Sequence, residues 1–366
     1  MKIAQVAPLF ESVPPAAYGG TERVVSYLTE ALVEMGHEVT LFASGDSITN
    51  ADLVAVAEHS LRLGPQRTDW LMQHVLLLDT VFQRAADFDV IHFHVDFLHY
   101  PLTRYCHTPS LTTLHGRQDL PGLVPLHRRF DRHPLVSISN SQRLPLPDAH
   151  WLATVYHGVP ATLYDFHPSC DDYFAFVGRI APEKRVDRAI EIAIASGTRL
   201  RIAAKIDRAD ELYFEREIRH RLDHPLVEFV GEIEQARKNE FIGQARALLF
   251  PIDWPEPFGL VMIEALACGT PVIAYRCGSV AEVLEHGVTG YIVTSQDEAV
   301  AAARAVGRLS RQACRAAFEQ RFTARTMAAR YLEVYHHLAP PNCAPDDEPR
   351  PGASPLASLV GSEPQA

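Results

Sequence analysis

Two glutamates eight residues apart, Glu256 and Glu264, bracket the start of a stretch that is otherwise apolar. From Leu260 to Cys268 the chain is apolar on all sides apart from Glu264, the pattern of a buried helix. Pro257 and Gly259 punctuate its start, and Gly269 with Pro271 its end. Glu264 is the only charged residue between Pro257 and Tyr275, and an unpaired carboxylate in such a place is costly, so it needs a partner. Glu256 precedes the helix N-terminus, where the turn Phe258-Gly259-Leu260 leaves backbone N–H groups free. Those donors and the helix dipole favour an anion. Two carboxylates beside an anion site imply a ligand with hydroxyls and phosphates, as a nucleotide-sugar has.

A second group of charges suits the same ligand. Arg179 and Lys184 follow the buried strand Tyr173–Val177 and precede a helix over Val186–Ser196. A guanidinium fork and a compact ammonium there can neutralise a departing diphosphate. Gly19 and Gly20 stand at another helix start, before Thr21. That pair suits either the approach of a phosphate or a plain turn. His115, beside Gly116, ends the strand Ser110–Leu114 at the carboxyl edge of a sheet, where a lone histidine says little. His92 and His94 alternate onto one side of the strand Asp89–Phe93. They read as solvent-facing or core-edge residues, since no carboxylates accompany them as metal ligands. Asp96 and His99 follow at that strand's carboxyl end, where open α/β sheets hold ligands, and are candidate acceptor contacts.

The elements that must position these residues alternate between strand and helix. Residues 1–10 form a strand and Glu11–Gly20 a loop; Thr21 caps a helix from Glu22 to Met35, and Val39–Ala43 forms the next strand. This is a Rossmann-type unit. Further strands are read at Leu135–Ser139, Thr154–His157, Leu200–Ala204 and Ala247–Phe250. Trp70–Ala86 and Tyr213–Leu222 read as helices. Phe322–Leu338 reads as the last helix, capped by Thr323. Past Pro340 the chain is proline-rich and short of large apolar groups, the composition of a disordered tail.

The 366 residues suffice for two or three domains. A net charge of −11 argues against nucleic acid as a partner. The six cysteines are scattered without a C-x-x-C pair, as in reduced cytoplasmic proteins. The opening residues read as a strand rather than a signal peptide, and no run has the length to span a bilayer.

The stretch Glu256–Glu264, with its E-P-F-G and A-x-G-x-P-V-I elements, resembles the E-x7-E signature of the family 4 retaining glycosyltransferases. Gly178-Arg179 through Lys184 is similar to that family's G-R-x-x-x-x-K motif, although Arg185 stands where relatives often carry glycine. The resemblance is strong over 173–295 and looser over 1–165. It implies an α/β, GT-B architecture of two Rossmann-like domains facing each other across a cleft. The expected divisions are 1–165 for the acceptor, 166–320 for the nucleotide-sugar, 321–339 for a helix crossing back, and the tail 340–366.

The resemblance also implies roles. Glu256, Pro257, Phe258, Gly259 and Leu260 would contact the donor sugar and its phosphates, and Glu264 the ribose hydroxyls. Phe229, Gly231 and Ile233 would flank the base, Gly19 and Gly20 would approach the diphosphate, and His115 would lie near the reacting sugar. Arg179, Lys184, Glu256 and His115 would carry the catalysis. The implied activity moves a hexose from a nucleoside-diphosphate sugar, UDP-glucose-like or GDP-mannose-like, to a hydroxyl acceptor, with retention and without metal or cofactor. A lipid acceptor would add peripheral membrane contact. An epimerase or hydrolase on the same fold, or a non-catalytic nucleotide-sugar-binding protein, are the alternatives.

Overall fold

The computed structural model describes residues 1–16, 19–62 and 69–340. Tyr18, in the glycine-rich loop, and the tail beyond Pro340 lie outside the described residues.

The first domain is a seven-stranded parallel sheet. Its strands are β1 (Lys2–Val6), β2 (Glu38–Ser44), β3 (Asp52–Ala57), β4 (Val90–Phe93), β5 (Ser110–Thr113), β6 (Leu135–Ser137) and β7 (Trp151–Thr154), in the order β3-β2-β1-β4-β5-β6-β7. The second has six parallel strands, β8 (Tyr173–Arg179), β9 (Arg199–Lys205), β10 (Val227–Gly231), β11 (Ala247–Phe250), β12 (Val272–Tyr275) and β13 (Gly290–Val293), ordered β10-β9-β8-β11-β12-β13. Both orders step outward from a central strand and then reverse. Ligands of such sheets bind outside the carboxyl ends, at the reversal. Here the reversals lie between β1 and β4 and between β8 and β11.

The expected strands and helices are largely present, with local differences. β3 has no counterpart in the expectation. β7 ends at Thr154 instead of beginning there. Thr21 is not a cap: the first helix is Gly20–Glu34, preceded by Gly19 with no side-chain bond to its end. The segment read as one helix over 213–222 passes through a π-helical turn at Phe214–Ile218 and a 3-10 turn at Arg219–Arg221.

The chain returns to the first domain through its last helix, Ala324–Leu338, which Thr323 caps by accepting from Thr326 N–H. This helix buries Met327, Tyr331, Leu332, Val334 and Tyr335. Each such apolar side chain contributes about 1.5–3 kcal/mol. The crossing is pinned where Val159 N–H donates to Phe322 O (3.0 Å) and Ala324 N–H to Val159 O (2.8 Å). Gly158 is required there, since a Cβ would stand 2.2 Å from Thr323 O. The two domains also meet at Glu282. Its carboxylate accepts from Asn140 N–H (2.7 Å), Ser141 N–H (2.8 Å) and Tyr156 OH (3.0 Å).

Candidate active site

A cavity of about 590 Å³ opens where the carboxyl ends of the two sheets face each other. The sequence distributes its lining among eight strand ends, five of which carry the residues singled out above. Gly19 and Gly20 come from the loop after β1, and His115 from the end of β5. Arg179 and Lys184 follow β8, Ile233 follows β10, and Glu256 through Leu260 with Glu264 follow β11. Twelve of the sixteen residues singled out from the sequence therefore share one cavity. A second cavity of about 470 Å³, at the amino-terminal edges of β5 and β6, contains none of them.

The helix Leu260–Cys268 forms as its composition dictates. Every residue from Met262 to Cys268 is buried, Glu264 at 1% exposure included. The partner Glu264 requires is Lys238, from the neighbouring helix Gln235–Gly243, whose ammonium meets its carboxylate at the cavity wall. No spacing rule links positions 238 and 264, so sequence reasoning could demand this cation but not name it. At the helix start Gly259 is left-handed (φ 77°), and no side chain caps the free N–H groups of Leu260 and Val261, which border the cavity. That is the geometry of an anion site.

Glu256 is held by two donors on one oxygen. Lys184 Nζ pairs with Oε2, and Trp254 Nε1 donates to the same atom at 2.8 Å. Lys184 also lies 4.7 Å from the Trp254 ring centre, a cation–π contact that fixes the ammonium laterally. The turn rests on the loop after β12, where Ser279 N–H donates to Glu256 O (3.1 Å) and Ser279 Oγ to Phe258 O (2.8 Å). A Cβ on Gly278 would fall 2.3 Å from Glu256 O, so only glycine lets the two backbones approach. Arg179 reaches the cavity with three carboxylates around its guanidinium: Glu183 (2.9 Å), Asp210 (3.3 Å) and Asp207 (3.4 Å). Arg185 adopts the left-handed conformation (φ 52°) that glycine would take without strain. Its guanidinium pairs with Asp187 and Asp253.

His115 donates to or accepts from His94 Nδ1 at 2.8 Å and stacks on His157 at 5.3 Å. Burial pushes its imidazole down to about 3, so the ring is neutral. His92 and His94 are not solvent-facing. Their rings lie 4.0 Å apart in the interior, and burial holds both well below the ordinary histidine value. His157, Lys205, Lys238 and Arg23 also line the cavity and were not singled out from the sequence.

Four expected residues lie outside the cavity. Phe229 projects to the far side of β10, against Phe214 (6.2 Å), because its neighbours on the strand alternate faces. Gly231 is the left-handed residue (φ 75°) that turns the chain so that Glu232 and Ile233 reach the wall in its place. His99 is fully buried, bonded through Nε2 to Thr112 Oγ1 (2.6 Å) and stacked on Phe93 (3.8 Å); it is a core residue, not an acceptor contact. Asp96 is exposed in a left-handed turn (φ 52°) and does not line the cavity.

Comparison with known proteins gives matches over both domains. Residues 166–323 match the family described as Glycosyl transferases group 1, and residues 18–161 match Glycosyltransferase Family 4. Glycogen synthase of Mycobacterium tuberculosis is 26% identical over 345 residues, covering 79% of this chain and 82% of that protein. Phosphatidyl-myo-inositol mannosyltransferase of Mycolicibacterium smegmatis is 24% identical over 383 residues, covering 93% and 94%. The crystal structure of AviGT4, a glycosyltransferase involved in avilamycin A biosynthesis, is 26% identical and superposes with a TM-score of 0.72 over 93% of this chain and 99% of that one.

Proposed function

We propose, from the premise that this chain belongs to the family 4 glycosyltransferases of GT-B fold, that it transfers a hexose with retention from a nucleoside-diphosphate sugar to a hydroxyl acceptor. The donor is UDP-glucose-like or GDP-mannose-like. The observation that carries this reading is the convergence of Arg179, Lys184 and the uncapped helix start at Leu260 on one cavity wall with Glu256 and Glu264.

The difficult step is departure of the nucleoside diphosphate, as negative charge gathers on its phosphate oxygens. Fixed donors aimed at that charge stabilise the transition state without reorganising. Lys184 and Arg179 supply cations, and the N–H groups of Leu260 and Val261 supply donors, so the protein's own groups suffice without a metal. Glu256 accepts hydroxyls of the donor sugar, its orientation fixed by Lys184 and Trp254. Glu264, answered by Lys238, accepts the ribose hydroxyls. The ring neighbours of His115 are His94 and His157, and a neutral ring there contributes a hydrogen bond rather than a charge. With no nucleophile required of His115, the leaving phosphate itself takes the acceptor's proton on the face it departs from.

The test is a thermal-shift screen of nucleotide-sugars, followed by turnover with the best donor. A donor at about 100 times its Kd stabilises the native state by roughly 2.7 kcal/mol and raises Tm accordingly. Glu256→Ala and Lys184→Ala should each lower kcat by about two orders of magnitude or more. Near-normal turnover in both variants overturns the assignment. Release of nucleoside diphosphate with no glycoside formed favours a hydrolase instead.

A further inference from the structure

Behind His115 a chain of buried polar groups runs through the first domain and into the last helix. His115 Nε2 is 2.8 Å from His94 Nδ1. His94 Nε2 is 2.9 Å from Gln5 Oε1. Gln5 Nε2 donates to Tyr335 OH at 3.0 Å. Tyr335 OH is 2.8 Å from His92 Nδ1, His92 Nε2 is 2.7 Å from Thr113 Oγ1, and Thr113 Oγ1 is 2.8 Å from Tyr331 OH. Gln5 lies on β1, His92 on β4, Thr113 on β5, and Tyr331 and Tyr335 on the helix Ala324–Leu338. All of these but His115 are nearly inaccessible, so no water competes for their bonds.

The proton positions follow from one end. An amide oxygen can only accept, so Gln5 Oε1 requires a proton on His94 Nε2. His94 is neutral, because burial and the neighbouring histidines oppose its charging. A neutral ring with a proton on Nε2 offers a lone pair at Nδ1, which must be met by N–H from His115 Nε2. His115 is neutral too, so its Nδ1 is left as a lone pair, and that atom is buried without a protein hydrogen-bond partner. In the other direction the same polarity continues without conflict. Gln5 N–H donates to Tyr335, Tyr335 O–H to His92 Nδ1, His92 Nε2–H to Thr113, and Thr113 O–H to Tyr331.

We propose that His94, held by Gln5 and Tyr335, is a positioning residue that fixes His115, at the cavity wall, in its Nε2–H tautomer and leaves its buried Nδ1 as a lone pair. The effect on turnover expected below rests on the proposed function, which puts His115 near the reacting sugar; the tautomer does not. The arrangement makes the last helix, which follows the second domain in sequence, the structural anchor of a ring in the first domain. Reversing every bond in the chain would move the proton of His115 to Nδ1, so the polarity set at Gln5 decides the tautomer of the ring.

The experiment is long-range 1H–15N correlation spectroscopy of full-length protein labelled at histidine, with His115→Ala identifying the His115 signals. Wild type is expected to show His115 protonated at Nε2 and not at Nδ1. Gln5→Leu removes the acceptor that orients His94. It should mix the two tautomers and lower kcat roughly fivefold to tenfold, the scale of one hydrogen bond, with UDP or GDP thermal shifts unchanged. Tyr335→Phe, which leaves the Gln5 oxygen free to turn, should do so to a smaller extent and serves if Gln5→Leu does not fold. An Nδ1–H tautomer in wild type overturns the proposal. So does a folded Gln5→Leu or Tyr335→Phe variant with unaltered His115 signals. Failure of every nucleotide-sugar to bind, with the Nε2–H tautomer intact, overturns the proposed function alone.

Discussion

Taking this protein from about pH 7.5 to about pH 5.5 should remove roughly 7 kcal/mol of stability from its first domain. Seven histidines of that domain are almost inaccessible, and the five that burial shifts furthest are His92 (0%), His94 (2%), His99 (0%), His133 (7%) and His157 (4%). Burial lowers the pKa of each from the ordinary 6.5, to about 3 for His133. In the unfolded chain each imidazole titrates near 6.5 and takes up a proton across this interval, while the native ring stays neutral. The unfolded state then binds more protons, so stability is complete above the unfolded value and is lost as the pH falls below it. Each histidine contributes about 1.4 kcal/mol over the interval, and five contribute about 7, against a typical domain stability of roughly 5–15 kcal/mol. The interval lies above the ordinary carboxylate range, and only carboxylates that burial shifts upward, as it does Glu22, offset part of the loss. Guanidinium unfolding at several pH values, with secondary structure as the probe, measures the effect. The first domain's midpoint should drop steeply toward pH 5.5, with about five protons taken up on unfolding. The second domain, which contains none of the five, should change much less. A first-domain midpoint that is flat across the interval, or an uptake of a single proton, would refute the reasoning.

Two further outcomes follow from contacts in and beside the cavity. Trp254→Phe keeps the ring beside Lys184 but removes the indole N–H that Glu256 accepts; kcat should fall about tenfold while the thermal shift caused by nucleotide stays as in wild type. Glu282→Ala removes the carboxylate that joins the domains through Asn140, Ser141 and Tyr156; the cost should be about 1–3 kcal/mol, read as a higher KM for the acceptor and a larger radius of gyration in small-angle scattering.

What could be read before any coordinates were those features whose cause is local. The helix Leu260–Cys268 is legible because an unbroken apolar stretch ending in Gly269 has no other low-energy use. Arg179, Lys184, Glu256 and His115 were legible because strand ends followed by turns deliver side chains to one edge of a parallel sheet. The need for a cation beside Glu264 was equally plain from the cost of burying a charge. Its identity was not, since Lys238 reaches Glu264 only through the packing of two helices. That Asp96 and His99 lie outside the cavity was hidden for the same reason. Being next in sequence to a strand's carboxyl end does not fix which way a ring turns, and the ring of His99 found Thr112 and Phe93 in the core. The polar chain from His115 through Gln5 to Tyr335 joins residues as far as 330 positions apart and has no trace in any spacing. Local chemistry thus determined which elements form and which edges are reactive. Only tertiary packing, which pairs groups by distance rather than by order along the chain, decided the partner of each charge and the proton each buried histidine carries.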